Sequence, residues 1–291
     1  QTARAWSFGQ GASNLATGGS INLYVAETAN AYNVRYFDKA GNHIGTDQKS
    51  YDSWFNLRGD PGRTHPAYTA RGWARSANQT GASHAFGLWT RNLASAQGAN
   101  FDLYVAETAN TYSISYDTAG GQLSGQRAEY TFEAADFRLA EPTRVGYTFA
   151  GWEVTGAQGS GIAKDGVHST VRQGTWGSLS CKATWRANQY QVSLDAAFPA
   201  FAQGPTYEGY APYGVAKDAG TASVTATFDA AMPSATMPRA TGYRFEGYFD
   251  DAGVKYYDAD GSSARTWDKP NNATLHARWV VERHELTLDV G

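Results

Sequence analysis

Few side chains in this chain of 291 residues are spaced for chemistry. Its six histidines, His43, His65, His84, His168, His276 and His284, stand isolated. Zinc is held by grouped ligands such as His-x-x-x-His or Cys-x-x-Cys, so none of them announces a metal site. Asp250-Asp251-x-Gly253 and Asp258-x-Asp260-Gly261 resemble calcium loops, but the full alternation of aspartates and the closing glutamate are missing. Asp-Gly pairs of this kind make turns. No Gly-x-Ser-x-Gly elbow, phosphate-binding loop or dinucleotide fingerprint occurs. Asp117 and Asp195 stand at strand ends beside turns, where local hydrogen bonding accounts for them. The expectation is therefore a chain without catalytic, cofactor-binding or metal-ligating residues, and not an enzyme.

The aromatic rings offer a different chemistry. Nine Trp, 18 Tyr and 13 Phe could stack on sugar rings or anchor a partner protein. Trp73, Trp152, Tyr248, Trp185 and Trp279 recur in register, which marks them as core. Trp54, Trp89, Trp176, Tyr207, Tyr210, Tyr213 and Trp267 do not recur, and they are the better candidates for ligand contact. Tyr207, Tyr210 and Tyr213 stand out because they lie in an insertion; with Trp54 and Trp89 they form the candidate contact set. Cys181 is the one cysteine. It replaces a leucine of the neighbouring units in an alternating strand, and reads as a small buried apolar residue.

These residues are positioned by a repeat. Leu-Tyr-Val-Ala-Glu-Thr-Ala-Asn occurs at Leu23 to Asn30 and again at Leu103 to Asn110, an offset of 103 − 23 = 80 residues. Repetition of this kind decides the architecture before any other feature. The frame continues in diverged form through Gly146 to Trp152 with Ala183-Thr184-Trp185, and through Gly242 to Tyr248 with Leu275 to Trp279. The residue five positions after each closing anchor opens a new strand: Tyr32, Tyr112, Tyr190 and His284. Three whole modules follow, at 32–111, 112–189 and 190–283. Residues 1–31 read as the C-terminal part of a preceding repeat and residues 284–291 as the first strand of a following one, as in a piece of a longer array. The spacing from Trp73 to Leu103 is 30 residues, against 17 from Trp6 to Leu23, so the first whole module carries an insertion. The third carries another near Ala200 to Ala222. Both preserve the strand pattern and belong in loops.

Within a module, Tyr112-Ser-Ile-Ser-Tyr-Asp117 alternates large apolar with small polar residues, as a half-buried strand does. Ala119-Gly120-Gly121 turns the chain, and Gln126 to Phe132 returns as the partner strand. Ser50 to Leu57, Glu133 to Leu139 and Phe228 to Met232 read as short helices, each stopped at or before a proline (Pro61, Pro142, Pro233). Gly-Tyr-x-Phe-x-Gly-Trp makes a third strand, and Leu-x-Ala-x-Trp or the octapeptide a fourth. The expected class is α+β and β-rich, with about four strands and one short helix lying across a small mixed sheet in each module.

Glu141-Pro-Thr-Arg-Val-Gly-Tyr-Thr-Phe-Ala-Gly-Trp152, preceded by Tyr116-Asp-Thr-Ala-Gly-Gly121, resembles the Listeria–Bacteroides repeat, the internalin B-repeat family. The third module keeps Gly242 to Tyr248 and Leu275 to Trp279. The first keeps Arg71-Gly72-Trp73, while Glu107, like Glu27, stands where the closing Trp is expected. The resemblance implies compact β-grasp-like modules in tandem on bacterial surface proteins, often Gram-positive and wall-anchored. It implies no catalytic residues.

Charged residues make up 18% of the chain and the net charge is −3, so no broad field draws nucleic acid. No apolar run reaches the roughly 18 residues of a membrane span, and no signal peptide is visible, though a piece of a longer chain would lack one. One cysteine excludes an intrachain disulfide without choosing a compartment. The lysines do not recur between modules, which argues against a Lys–Asn isopeptide bond in each. The expected function is a non-catalytic stalk or spacer of an adhesin-like, extracellular bacterial surface protein, wall-anchored through parts outside this chain. It needs no cofactor, its modules couple to their neighbours in an elongated array, and host protein or glycan is the external partner class. The alternative is a glycan- or host-protein-binding module that uses the inserted aromatic loops.

Overall fold

The computed structural model describes residues 27–63, 65–197, 220–240, 242–282 and 287. Contacts divide the chain into two units, one ending at Thr108 and one beginning at Ala109.

The first unit holds β1 (Ala31–Phe37), β2 (His43–Ser50), β3 (Phe55–Asn56), β4 (Tyr68–Ala74), β5 (Trp89–Thr90) and β6 (Asn100–Ala109). Its main sheet runs β2-β1-β6-β4, with β1 antiparallel to β2 and parallel to β6. The period-two alternation of β1 sends Tyr32, Val34 and Tyr36 inward, each fully buried. They pack with Phe55, Leu57, Trp73, Leu103 and Val105. The second octapeptide lies in β6, where Leu103, Val105, Ala106 and also Glu107 are buried. Of the first copy, Glu27 to Asn30 are described and exposed; Leu23 to Ala26 lie outside the described residues.

The second unit contains two such sheets. The first is built from β7 (Thr111–Asp117), β8 (Glu129–Thr131), β10 (Tyr147–Thr155) and β15 (Leu179–Ala187) in the order β10-β15-β7-β8. Beside it, β9 (Phe137–Arg138), β12 (Ile162–Asp165) and β13 (His168–Val171) make a small sheet, and β11 (Gln158–Gly159) pairs with β14 (Thr175–Trp176). The next sheet orders β16 (Gln189–Asp195), β17 (Ser223–Thr227), β18 (Tyr243–Phe249), β19 (Lys255–Asp258) and β20 (Ala273–Val281) as β17-β16-β20-β18-β19. In all three main sheets the opening and closing strands are parallel neighbours, as β7 is to β15 and β16 to β20.

The α+β, β-grasp-like expectation is corrected: none of the described residues is helical, and the class is all-β. The physical reason is the period of the buried residues in the three segments read as helices. In the first, Phe55 and Leu57 point inward while Trp54 and Asn56 face out. Phe137 and Leu139 likewise turn in around an exposed Arg138. Two-residue spacing belongs to extended chain, which forms β3 and β9. In the third segment, Asp229 takes a φ of 58°, outside any right-handed helix.

The Gly-Trp motif has a conformational cause. Pairing of β10 with β15 slips between Phe149 and Gly151, and pairing of β18 with β20 slips at the equivalent Gly247. The glycines at this repeat position, Gly72, Gly151 and Gly247, have φ of 141°, 125° and 139°. Such a bulge re-aims the next side chain, and only glycine enters that region freely. Trp73, Trp152 and Tyr248 are thereby driven into their cores. The Trp73 indole N–H donates to the Arg58 carbonyl at 3.0 Å, and that of Trp152 to the Ala140 carbonyl at 2.9 Å. Each indole thus ties the extended segment that stands in place of a helix to the main sheet.

Candidate functional site: an exposed aromatic pair

Of the five aromatic residues singled out as the contact set, Tyr207, Tyr210 and Tyr213 lie outside the described residues. The other two meet. Trp54 and Trp89 are 35 positions apart (89 − 54 = 35), yet their ring centroids lie 5.8 Å apart with planes only 10° from parallel. They remain 51% and 58% exposed. Two exposed indoles stacked on each other leave apolar surface in water.

The local chain explains the pairing. Phe55 is opposite Thr90 and Asn56 opposite Trp89 in an antiparallel ribbon. Extending this register by one residue sets Trp54 across from Arg91. Alternation then puts Trp54, Asn56, Trp89 and Arg91 on one face and Phe55 on the other. Phe55 is buried against Tyr32, with ring centroids 6.5 Å apart, and anchors the ribbon from below. One end of the ribbon is braced by Asp52 and Asn92. The Asp52 N–H donates to Asn92 Oδ1 at 2.6 Å, and Asn92 Nδ2 donates to Asp52 Oδ1 at 2.9 Å. Both residues adopt positive φ, 61° and 55°, which Asp and Asn tolerate better than most side chains. The Arg91 guanidinium carbon lies 4.9 Å from the centroid of the Trp54 ring, a cation–π contact. Arg91 was missed in the sequence, although its spacing of two from Trp89 was the available signal.

The remaining candidates are structural. Trp267 is fully buried and packs against Tyr256 in a tilted arrangement with ring centroids 5.2 Å apart, so its reading as a ligand contact is corrected. Trp176 is half-buried in β14. The recurring aromatics Trp73, Trp152, Tyr248 and Trp279 are buried, and Trp185 packs against the same core as Trp152. Cys181 is fully buried, and burial pushes its thiol up to about 11, which makes it a poor nucleophile. Asp250 accepts from the Val254 N–H at 2.8 Å and pairs with Lys269 at 2.8 Å. Asp260 accepts from the Ser262 N–H at 2.9 Å. These carboxylates therefore serve their own turns, and no group of three metal-ligating side chains occurs among the described residues. No helix among those residues is long and apolar enough to cross a membrane.

A second constellation joins the modules of the second unit. A single residue, Asn188, separates β15 from β16. Its N–H donates to the Gly146 carbonyl at 2.9 Å and its carbonyl accepts from the Phe228 N–H at 3.0 Å. Its side chain accepts from Thr148 Oγ1 at 2.6 Å and donates to Tyr190 Oη at 3.4 Å. Every polar group of the linker residue is thus bonded, two to the module before it and two to the module after it. Phe228 packs edge-on against Tyr147, with centroids 5.6 Å apart. A Cβ on Gly146 would lie 2.4 Å from the Phe228 ring, so the glycine is needed for the close approach as well as for its φ of 77°.

The architecture defines a class: small all-β modules with parallel first and last strands, repeated in tandem without spacer sequence. Comparison with known families gives that class a name for its best-kept member. Residues 112–170 match the model of the Listeria-Bacteroides repeat domain, a family typical of extracellular or surface proteins. The match runs from β7 through nearly all of β13 and confirms the resemblance carried by Tyr116 to Gly121 and Glu141 to Trp152. The repeat character of the flanking modules rests on their own sequences and strand order.

Proposed function

We propose that the chain is a non-catalytic tandem-repeat segment of an adhesin-like bacterial surface protein, serving as a stalk or spacer outside the cell and held to the wall through other parts of the protein. The observation that carries this reading is the Asn188 joint. A spacer must transmit position, and a linker of one residue with all its polar groups engaged leaves its neighbours little freedom. Modules coupled mainly to their neighbours build stability along one axis. The low net charge supports a partner other than nucleic acid. Small-angle scattering of the whole chain tests the reading: an elongated particle is expected, which becomes more flexible when Gly-Ser-Gly is inserted after Asn188. A compact three-module cluster, or an insertion without effect, would refute it.

A second reading is favoured by one observation, the exposed Trp54–Trp89 stack. It makes the first module a contact site for host glycan or protein as well as a spacer unit. Glycan-array and pull-down binding of the whole chain, compared with Trp89→Ala, tests it; unchanged binding in the variant would sink it.

A further inference from the structure

We propose that Trp54, Trp89 and Arg91 form a binding platform for a carboxylated saccharide, a sugar carrying a uronic-type or sialic-type acid. This rests on the second reading above and names its ligand class. Two near-parallel, exposed indoles lie on one face of the ribbon. The C–H face of a pyranose ring is apolar and weakly positive, and it complements the negative face of an indole. Deep anchoring of a protein side chain requires a pocket that excludes water, whereas both rings here are more than half exposed.

Arg91 supplies the charge selection. Three other arginines of the first unit are committed to internal acceptors: Arg35 to Asp102 at 2.6 Å and Arg58 to Asp47 at 2.7 Å, while Arg75 bonds the Asp102 carbonyl. Arg91 is exposed, lies over Trp54, and has no acid partner among the described residues. Its planar fork matches a carboxylate in two parallel hydrogen bonds. Exposed Asn56 lies on the same face, within the class of side chains that exchange hydrogen bonds with hydroxyls. Oligonucleotides also stack on aromatic rings, but they require a cationic track for successive phosphates. Arg91, next to the Asn92 that bonds Asp52, does not make one. The platform is also preorganised: Phe55 pins the ribbon into the core and the Asp52–Asn92 brace closes one of its ends, so little order has to be imposed on binding.

The test is calorimetric titration of the whole chain with trigalacturonic acid and with 3′-sialyllactose, each against its own methyl ester, and with oligothymidylate. At least one acid is expected to bind saturably and at least tenfold tighter than its ester. Arg91→Gln should reduce the acid to the affinity of the ester. Trp89→Ala should remove both, with near-ultraviolet dichroism confirming that the core is intact. Acid and ester bound alike would overturn the carboxylate selection while leaving the aromatic platform standing. Absence of saccharide binding, or binding indifferent to Trp54→Ala and Trp89→Ala, would overturn the platform itself. Tighter binding of oligothymidylate, lost in the same variants, would overturn the proposal in favour of nucleic acid.

Discussion

Tyr147 Oη donates a hydrogen bond to Asp229 across 2.8 Å, tying the 112–189 module to the one that follows. This bond raises the pKa of the Tyr147 phenol, because the proton is held between the two oxygens; burial and the Asp229 charge act in the same direction. With Phe228 seated on Gly146 and Tyr147, it completes the joint around Asn188.

Tyr147→Phe and Asp229→Ala are each expected to cost about 0.5–1 kcal/mol, the range of one exposed hydrogen bond. The double variant should cost no more than the larger single change, since both remove the same contact. The phenol's pKa is raised on folding, so its contribution is present below its unfolded value, about 10, and is lost as pH rises through the folded value. Denaturant titration of the four proteins at pH 7 and pH 11 checks both statements. Simple additivity at pH 7 would show that the bond couples nothing.

Gly247→Ala should be more damaging than Gly151→Ala, although both occupy the same repeat position. A Cβ at Gly247 would lie 2.2 Å from the Tyr257 carbonyl oxygen, whereas at Gly151 the nearest atom is the Val167 carbonyl oxygen at 3.5 Å. The second change costs backbone strain alone, about 1–3 kcal/mol. The first adds a clash worth about 1–3 kcal/mol more. Thermal unfolding of the two variants gives the ranking, and the reverse order would show that the β18–β19 pairing yields easily.

Tyr248 stands where the other modules place Trp73 and Trp152, but its buried hydroxyl finds no hydrogen-bond partner among the described residues. Burial, followed by the Asp195 charge, pushes that phenol up to about 12. A buried polar group left unpaired costs about 1–3 kcal/mol. Tyr248→Phe is therefore expected to be neutral or stabilising by up to about 1 kcal/mol. Trp152→Phe should lose about 2–4 kcal/mol through the cavity it leaves and the freed Ala140 carbonyl. Equilibrium unfolding distinguishes them; a clear loss in Tyr248→Phe would mean that the hydroxyl has a partner in solution.

Asp250 provides an acid-sensitive element. Burial alone would raise its carboxyl, but hydrogen bonds from Lys269 and from the Val254 N–H outweigh it and hold the pKa below the ordinary range. A depressed folded pKa contributes stability above the unfolded value, about 4, and that contribution disappears as pH falls through the folded value. Asp250→Asn should therefore lower stability at pH 7 and flatten the decline between about pH 5 and pH 2. Identical acid limbs for the two proteins would remove Asp250 from the account.

Much of the fold was legible because repetition and alternation are written in residue order. Tyr32-x-Val34-x-Tyr36 and its counterparts mark their strands by period two, and the recurring Trp73, Trp152 and Tyr248 mark the core. The helix expectation failed where the apolar residues are few. Phe55 and Leu57, or Phe137 and Leu139, have the two-residue spacing of extended chain, but a single pair in each segment is too short a pattern to set a period by itself. Trp267 was misread as a ligand contact because non-recurrence says that a residue is peculiar to one module, and a module-specific core meets that description equally well.

The amino-acid sequence by itself determined the repeat, the strands that open and close each module, and the unusual standing of Trp54 and Trp89. Each of these is a property of spacing along the chain. Tertiary structure alone decided that the modules are all-β, that Trp54 and Trp89 stack with Arg91 beside them, and that Asn188 is bonded on both sides. Those facts depend on distances between residues tens of positions apart. Such distances are set by strand register and by which face each ribbon turns to the core, and local patterning does not encode them.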